Sequence, residues 1–509
     1  MNNNTPPSKP SGDNGGTPPN GSSSSSFSGT RSAATTLSES ASLSSPSYSS
    51  TSAGENALLV TSGEITLENP TVAKSGDESS EDSDFYGTNA AILATGGTLT
   101  LSGGSIETSG SHANALFAYG SGKIIAKDLK ITTSKNNSGG IMVTGGGTLS
   151  ATDLSVETSG NSSAAIRSDR GGGTMTVKGG SYKTSGVGSP AIYSTAEISV
   201  SDGATLTSTS SEGVVIEGSN SVSLSGVTLT DTNNSLNGNS ETYKNIFIYQ
   251  SMSGDAEEGT GTFSAANSKI ITNQGDTFFI TNTTAKITLS GNLFLNNDST
   301  GVFLRAGSGK WGTSGKNGGI VDLTLNNQVA EGDIVLDSLS SLTLTLSNDS
   351  HYMGVINGEN TASSVSVSLS SDSNLVLAGD SYLTSLENAD SKNSNIYSNG
   401  YNLYVNGSKV EINSGAAPET PEVTLSESSE TASTESTTES VGSSSEPTSS
   451  PNLTLIISLA VCGTLILGLI IFAILKLRKK TPAPAAPAAP DLSTPNPFTP
   501  KTPPQTPQN

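Results

Sequence analysis

His112 and His351 are the two histidines of the chain, and they lie too far apart in sequence to form a local acid–base pair. Each stands among corner-type residues, in SGSHANA and SNDSHYMG. An imidazole in such a setting is expected to be solvated. The densest run of carboxylates is Asp77-Glu78-Ser79-Ser80-Glu81-Asp82-Ser83-Asp84. Carboxylate oxygens suit calcium, but the run lacks the glycine turn and spacing of a defined calcium loop. It reads as a solvated insertion. Trp311, the single tryptophan, stands among Arg305, Lys310 and Lys316 in a Gly-rich stretch. An indole there either packs or stacks on a sugar, and no second aromatic is apparent beside it. No HExxH, GxSxG or P-loop spacing occurs. The expectation is therefore no catalytic residue, no metal ligand, no cofactor and no enzyme; the ligand-binding residues stay undefined.

The elements available to hold these side chains are strands. From 55 to 413 the chain runs in short alternating stretches separated by Gly, Ser, Asn and Asp, such as GTLTLSGGSIETSG (97–110). Alternation at period 2 marks strands with one buried face. The stretches also repeat, with units starting at Ala90, Ala115, Gly140, Ala164 and Ala191. A spacing of roughly 24–26 residues signals a solenoid. Each unit holds three strand-like runs, the last ending in Thr-Ser-Gly or a relative, which predicts an all-β parallel β-helix of about 14 coils. An insertion is expected from Asn233 to Lys244, and the final stretch, 395–412, is expected to cap the end. Asn pairs such as Asn296-Asn297 and Asn326-Asn327 are expected at turns, where Asn tolerates left-handed backbone.

Composition agrees with a thin core. Aromatics make up 5% of the chain and charged residues 14%, and Gly numbers 56. The formal net charge of −21 argues against nucleic-acid binding, which needs a basic surface. The one cysteine, Cys462, excludes an intrachain disulfide.

The flanks differ. Residues 1–54 are rich in Ser, Pro and Gly and are expected to be disordered. Their opening, MNNNTPPSKPSGDNGG, shows no apolar stretch of the kind a secretory signal needs. Residues 414–452 carry Glu, Ser and Thr without Lys or Arg and read as an acidic stalk. Leu453 to Leu475 is uncharged and long enough for a single-pass transmembrane helix. Lys476, Arg478, Lys479 and Lys480 follow, which places the tail 476–509 in the cytoplasm and the solenoid outside. The tail is Pro-rich; Asn496-Pro497-Phe498 and the P-x-x-P spacings Pro500–Pro503 and Pro504–Pro507 suit a cytoplasmic adaptor.

The three-strand unit resembles right-handed parallel β-helix proteins, the pectate-lyase-like fold of surface adhesins and polysaccharide enzymes. Gly139-Gly140-Ile141, Gly318-Gly319-Ile320, Phe279–Asn282 and Phe294–Asn297 are similar to the Gly-Gly-aliphatic and Phe-x-x-Asn motifs of polymorphic outer-membrane-type surface proteins. The resemblance implies a cell-surface, adhesin-like protein, here with a single-pass anchor and an extracellular glycan or protein ligand. The alternatives are a membrane-tethered polysaccharide lyase or hydrolase, and a structural coat spacer.

Overall fold

The computed structural model describes residues 27–425. They wind into a right-handed parallel β-solenoid of about 15 turns. One coil shows the plan: Leu116–Tyr119, Lys123–Lys127 and Lys130–Thr133 each feed a different sheet. The first sheet has 12 strands, the second 14 and the third 10. Every neighbour in these three sheets pairs in parallel, as in Ile124↔Leu149 and Ile131↔Val156. At ~4.8 Å per rung the second sheet runs for ~62 Å.

Alternation explains the packing. In Thr98–Ser102 the leucines Leu99 and Leu101 point inward and are fully buried, while the hydroxyl residues face water. In-register pairing then stacks like on like, so the interior is a set of aliphatic columns such as Leu99, Ile124, Leu149 and Met175. Aromatic rings enter the core mainly between Phe263 and Phe303, where Phe278 packs edge-on against Phe263 and Phe303.

The Thr-Ser-Gly ending has a geometric cause. A Cβ on Gly160 would lie 1.8 Å from the carbonyl oxygen of Lys135, and one on Gly186 would lie 1.8 Å from that of Gly160. Stacked corners approach too closely there for any side chain. The threonines of the same endings close the corner: Thr133, Thr158 and Thr184 each donate to the carbonyl five residues on, at 2.5 Å. A buried serine column completes it. The Ser138 amide donates to Ser163 Oγ at 2.9 Å, and the Ser163 amide donates to Ser189 Oγ at 2.9 Å. Ser163→Ala leaves the Ser138 amide buried without an acceptor, at a cost of about 1–3 kcal/mol. The serine column links only adjacent coils, so the loss is local. Hydrogen exchange should accelerate around residues 134–140 and 160–166 and stay unchanged near residue 340.

The solenoid starts earlier than the sequence suggests. Ser32–Leu37, Ala41–Ser44 and Ser47–Ser50 already form a coil, within the segment expected to be disordered. Their apolar content is low, but Ala33, Leu37, Ala41 and Tyr48 fall in register with the following coil, which supplies the packing they lack alone. A short helix, Asp82–Tyr86, starts within the acidic run, with Asp82 and Asp84 in its first turn and Gly87 in the left-handed conformation ending it. Of the two asparagine pairs expected at turns, Asn296 and Asn326 end their strands and only Asn327 is left-handed, with φ of 50°; Asn282, at another corner, has φ of 54°.

Toward the end the cross-section changes. Val329–Glu331, His351–Gly354, Asn374–Leu377 and Ile396–Tyr397 form a four-stranded sheet of their own. The last pairing, Leu403–Val405 with Ser408–Val410, is antiparallel and closes the solenoid, as expected of a cap. Beyond it, Thr420 donates to Glu331 at 2.6 Å. Among the described residues no helix is long and apolar enough to cross a membrane. The expected span Leu453–Leu475, the tail and most of the stalk lie outside the described residues.

Candidate functional site

The outer faces of the three main sheets are not equivalent. Long insertions at residues 75–91, 232–243, 250–259 and 307–318 all leave from the corners that flank the first sheet. Beneath them runs one outward-facing column, set by the register: Leu59, Leu93, Phe117, Met142, Arg167, Tyr193, Val215, Phe247, Phe279 and Arg305.

The column has three zones. In the first, Leu59, Leu93, Phe117 and Met142 form a small apolar cluster, with Ala90 from the 75–91 insertion. In the third, Val215, Phe247, Tyr249 and Phe279 form another, with Trp311 from the 307–318 insertion packed on it. Phe247 stacks between Tyr249, at 4.4 Å, and Phe279, at 5.6 Å, and Tyr249 meets Trp311 edge-on at 4.8 Å. Trp311 therefore does have aromatic company; Tyr249 lies some sixty positions away in sequence, and only the coil register brings the two together. Lys244, fully buried, pairs with Glu212 at 3.0 Å and lies 4.4 Å from the Phe247 ring centre.

A cleft of about 430 Å³ opens beside the aromatic zone. Phe279 and Trp311 supply its apolar wall, and Arg305, Asp337, Glu241 and Glu359 its polar rim. Arg305 is oriented by Asp276, with Nε donating at 2.6 Å. Burial pushes Asp276 above the ordinary carboxylate range, and the Arg305 hydrogen bond reverses only part of that. Asn317 donates to the carbonyls of Gly309 and Trp311 at 2.7 and 2.8 Å and so fixes the loop carrying the indole. Lys310 pairs with Glu241 at 3.0 Å, both exposed, and Lys316 is exposed.

The middle zone is polar and mostly buried. Arg167 reaches Asp84 at 3.1 Å with one terminal nitrogen and Asp169 at 3.2 Å with the other. Asp84 also bonds His112 Nδ1 at 2.7 Å, and Asn137 Nδ2 donates to His112 Nε2 at 2.9 Å. Burial raises Asp84, but Arg167, His112 and Asn114 together outweigh it and hold the carboxyl below its usual range. Asp169 has the weaker share of Arg167. Burial, with Asp255 and Asp84 nearby, pushes it up to about 7. Arg170 donates to Asp255 at 2.6 Å and lies 3.8 Å from the Phe85 ring centre. Glu217, buried, accepts from Tyr193 at 2.5 Å, from Tyr249 at 2.9 Å and from Ser251. A cleft of about 310 Å³ enters this zone between the short helix and the 232–243 insertion.

Several expectations change here. His112 is not solvated but part of the Asp84 network. His351 is 2% exposed, with neither ring nitrogen bonded, and burial lowers its pKa. The acidic run is divided: Asp77, at its exposed start, accepts from Ser111, whereas Asp84 at its end is a buried anchor. Arg167, Asp169, Tyr193, Glu217, Tyr249 and Asp255 went unnoticed in the sequence. A signal was present, because Arg167 occupies the repeat position that is Leu93, Phe117 and Met142 in preceding coils. Among the described residues no group of three or more His, Cys, Asp or Glu is placed to hold a metal. Compared with family models, curated proteins and solved structures, the chain matches none of them.

Proposed function

We propose that the protein is a non-catalytic, membrane-anchored surface-recognition protein whose ligand, a glycan, docks on the outer face of the first sheet. The observation that carries this is the cleft of about 430 Å³ in which Trp311 and Phe279 face Arg305, Asp337 and Glu359. Aromatic faces beside carboxylates and a guanidinium match the apolar faces and hydroxyl rims of sugars. The second sheet, by contrast, shows water mostly Thr and Ser, interrupted by scattered charges such as Lys123, Lys127 and Asp322 and by single isoleucines such as Ile125. An acid–base reading draws less support, because Asp84 and Asp169 are both committed to one guanidinium.

Trp311→Ala tests the reading. On a glycan array the full-length protein should retain a defined set of ligands, and the variant should lose at least tenfold in affinity for them, or about 1.4 kcal/mol. A variant that binds as the parent does removes the cleft from the function. The surface placement rests on Leu453–Leu475 and the basic residues after it. In intact cells, external protease should cleave a tag near residue 30 and spare one at the C-terminus; the reverse pattern ends the adhesin reading.

A further inference from the structure

We infer that the polar cleft between the short helix Asp82–Tyr86 and the 232–243 insertion is a second subsite of the same glycan site, built for a sugar residue that carries a free ammonium group. This rests on the glycan reading above and narrows it to amine-bearing polysaccharides.

The cleft is lined by the carboxylates of Glu81, Asp84, Asp169 and Asp255 and by the single guanidinium of Arg167. Arg170 adds one more positive charge just behind Asp255. Arg167 serves Asp84 and Asp169 at once. Four carboxyl groups thus face two guanidinium groups, and with His112 engaged by Asp84 and Asn137, Asp169 keeps its proton below about pH 7 instead of gaining a partner of its own. A cation entering the cleft would complete the pairing that the protein leaves short.

Tyr193 and Tyr249 line the same cleft. Their hydroxyls are both turned to Glu217, which leaves the rings as cleft wall. Aromatic rings next to carboxylates form a favourable surround for an ammonium group. The volume, about 310 Å³, suits one small ring rather than a large ligand.

The two clefts also adjoin, which suits the extended glycan of the reading above better than an isolated ammonium group. Tyr249 links the two clefts: it lines this one and packs edge-on against Trp311, which lines the other. From Tyr193 to Phe279 the column climbs three rungs, or ~14 Å. An extended chain lying along the solenoid axis would present successive residues to both clefts, with the 232–243 insertion as the ridge between them.

The test is calorimetric titration of the full-length, detergent-solubilised protein at mildly acidic pH. The probes are a β-linked glucosamine oligomer and its N-acetylated counterpart of equal length. The amine oligomer should bind about 10-fold or more tightly than the acetylated one, and the advantage should fall with added salt. Asp169 holds its proton at that pH, so cation binding should expel a proton, seen as a dependence of the heat on the buffer. Asp169→Asn should abolish that proton release and most of the preference. Asp255→Asn, at the partly exposed rim, provides a second variant if the first disturbs folding, which a melting curve would reveal. Equal affinity for the two oligomers, or a preference untouched by both variants, overturns the subsite. If the neutral oligomer binds and Trp311→Ala removes that binding, the glycan reading survives alone. Failure of every glycan to bind overturns both, and tight binding of oligolysine without either oligomer shows the cleft to be a peptide site instead.

Discussion

Replacing Arg167 with Met will destabilise the coils around it by about 3–5 kcal/mol, the usual cost of stranding a buried charge. Arg167 is 11% exposed, and its two partners, Asp84 and Asp169, are 8% and 9% exposed. The shorter thioether fills part of the space but removes the guanidinium from both carboxyl groups, leaving Asp84 with His112 and Asn114 alone. The comparison that isolates this cause is the triple variant Arg167→Met, Asp84→Asn, Asp169→Asn, which removes the charges together and should recover most of the loss. Urea unfolding followed by circular dichroism gives the magnitude, and hydrogen exchange gives the place. Asp84 ties the short helix to Arg167, so exchange should rise first at residues 82–86 and then at Phe117 and Met142. A cost below about 1 kcal/mol would mean that water screens the network as it does a surface pair.

The second large effect is a change in the slope of stability against pH. A free Asp titrates near pH 3.9, whereas Asp169 in the fold titrates at about 7. Between those values the unfolded chain has lost this proton and the folded chain still holds it. Folding then takes up a proton, so this group's contribution falls as pH rises from about 4 to about 7, by up to roughly 4 kcal/mol at ~1.4 kcal/mol per unit. Asn mimics the protonated acid and has nothing to lose. Asp169→Asn should therefore match the parent near pH 4 and exceed it by a few kcal/mol at neutrality. Asp84 acts in the opposite sense. Its depressed value stabilises the fold above the unfolded value and loses that contribution as pH drops through the folded one. His351, lowered by burial, also favours the fold above about pH 6.5 and loses this below it. Urea midpoints at a series of pH values, parent against Asp169→Asn, separate these terms. Parallel curves would show that Asp169 is ionised throughout.

Much of the architecture was legible because it is periodic. The unit spacing, the three strands per coil and the Thr-Ser-Gly corners follow from the chain near residues 90–210, and the structure adds the reason that no Cβ fits at Gly160 or Gly186. The first coil was hidden because Ser32–Ser50 has too few apolar residues to stand alone; its stability comes from the coil stacked on it, which composition does not reveal. The site was less legible. Trp311 was visible as an isolated indole, but its neighbour Tyr249 is placed by two coils of register. Asp84 looked like one carboxylate among several. Its burial depends on Arg167, 83 residues away, arriving beneath it. Reading the repeats as a grid, rather than the chain as a line, would have shown an arginine in a column of Leu, Phe and Met.

The direction of the ladder bonds has a mechanical consequence. In this solenoid the hydrogen bonds between coils lie along the long axis, and the strands lie across it. Tension applied at the two ends therefore loads the outermost rungs first, and it opens them in series instead of shearing whole sheets at once. Each released coil would add about 25 residues of slack, or ~80 Å at full extension, against the ~4.8 Å it occupied when stacked. Such a rod is stiff at rest yet yields in small, repeated steps, and it can re-form from whatever coils remain as a template.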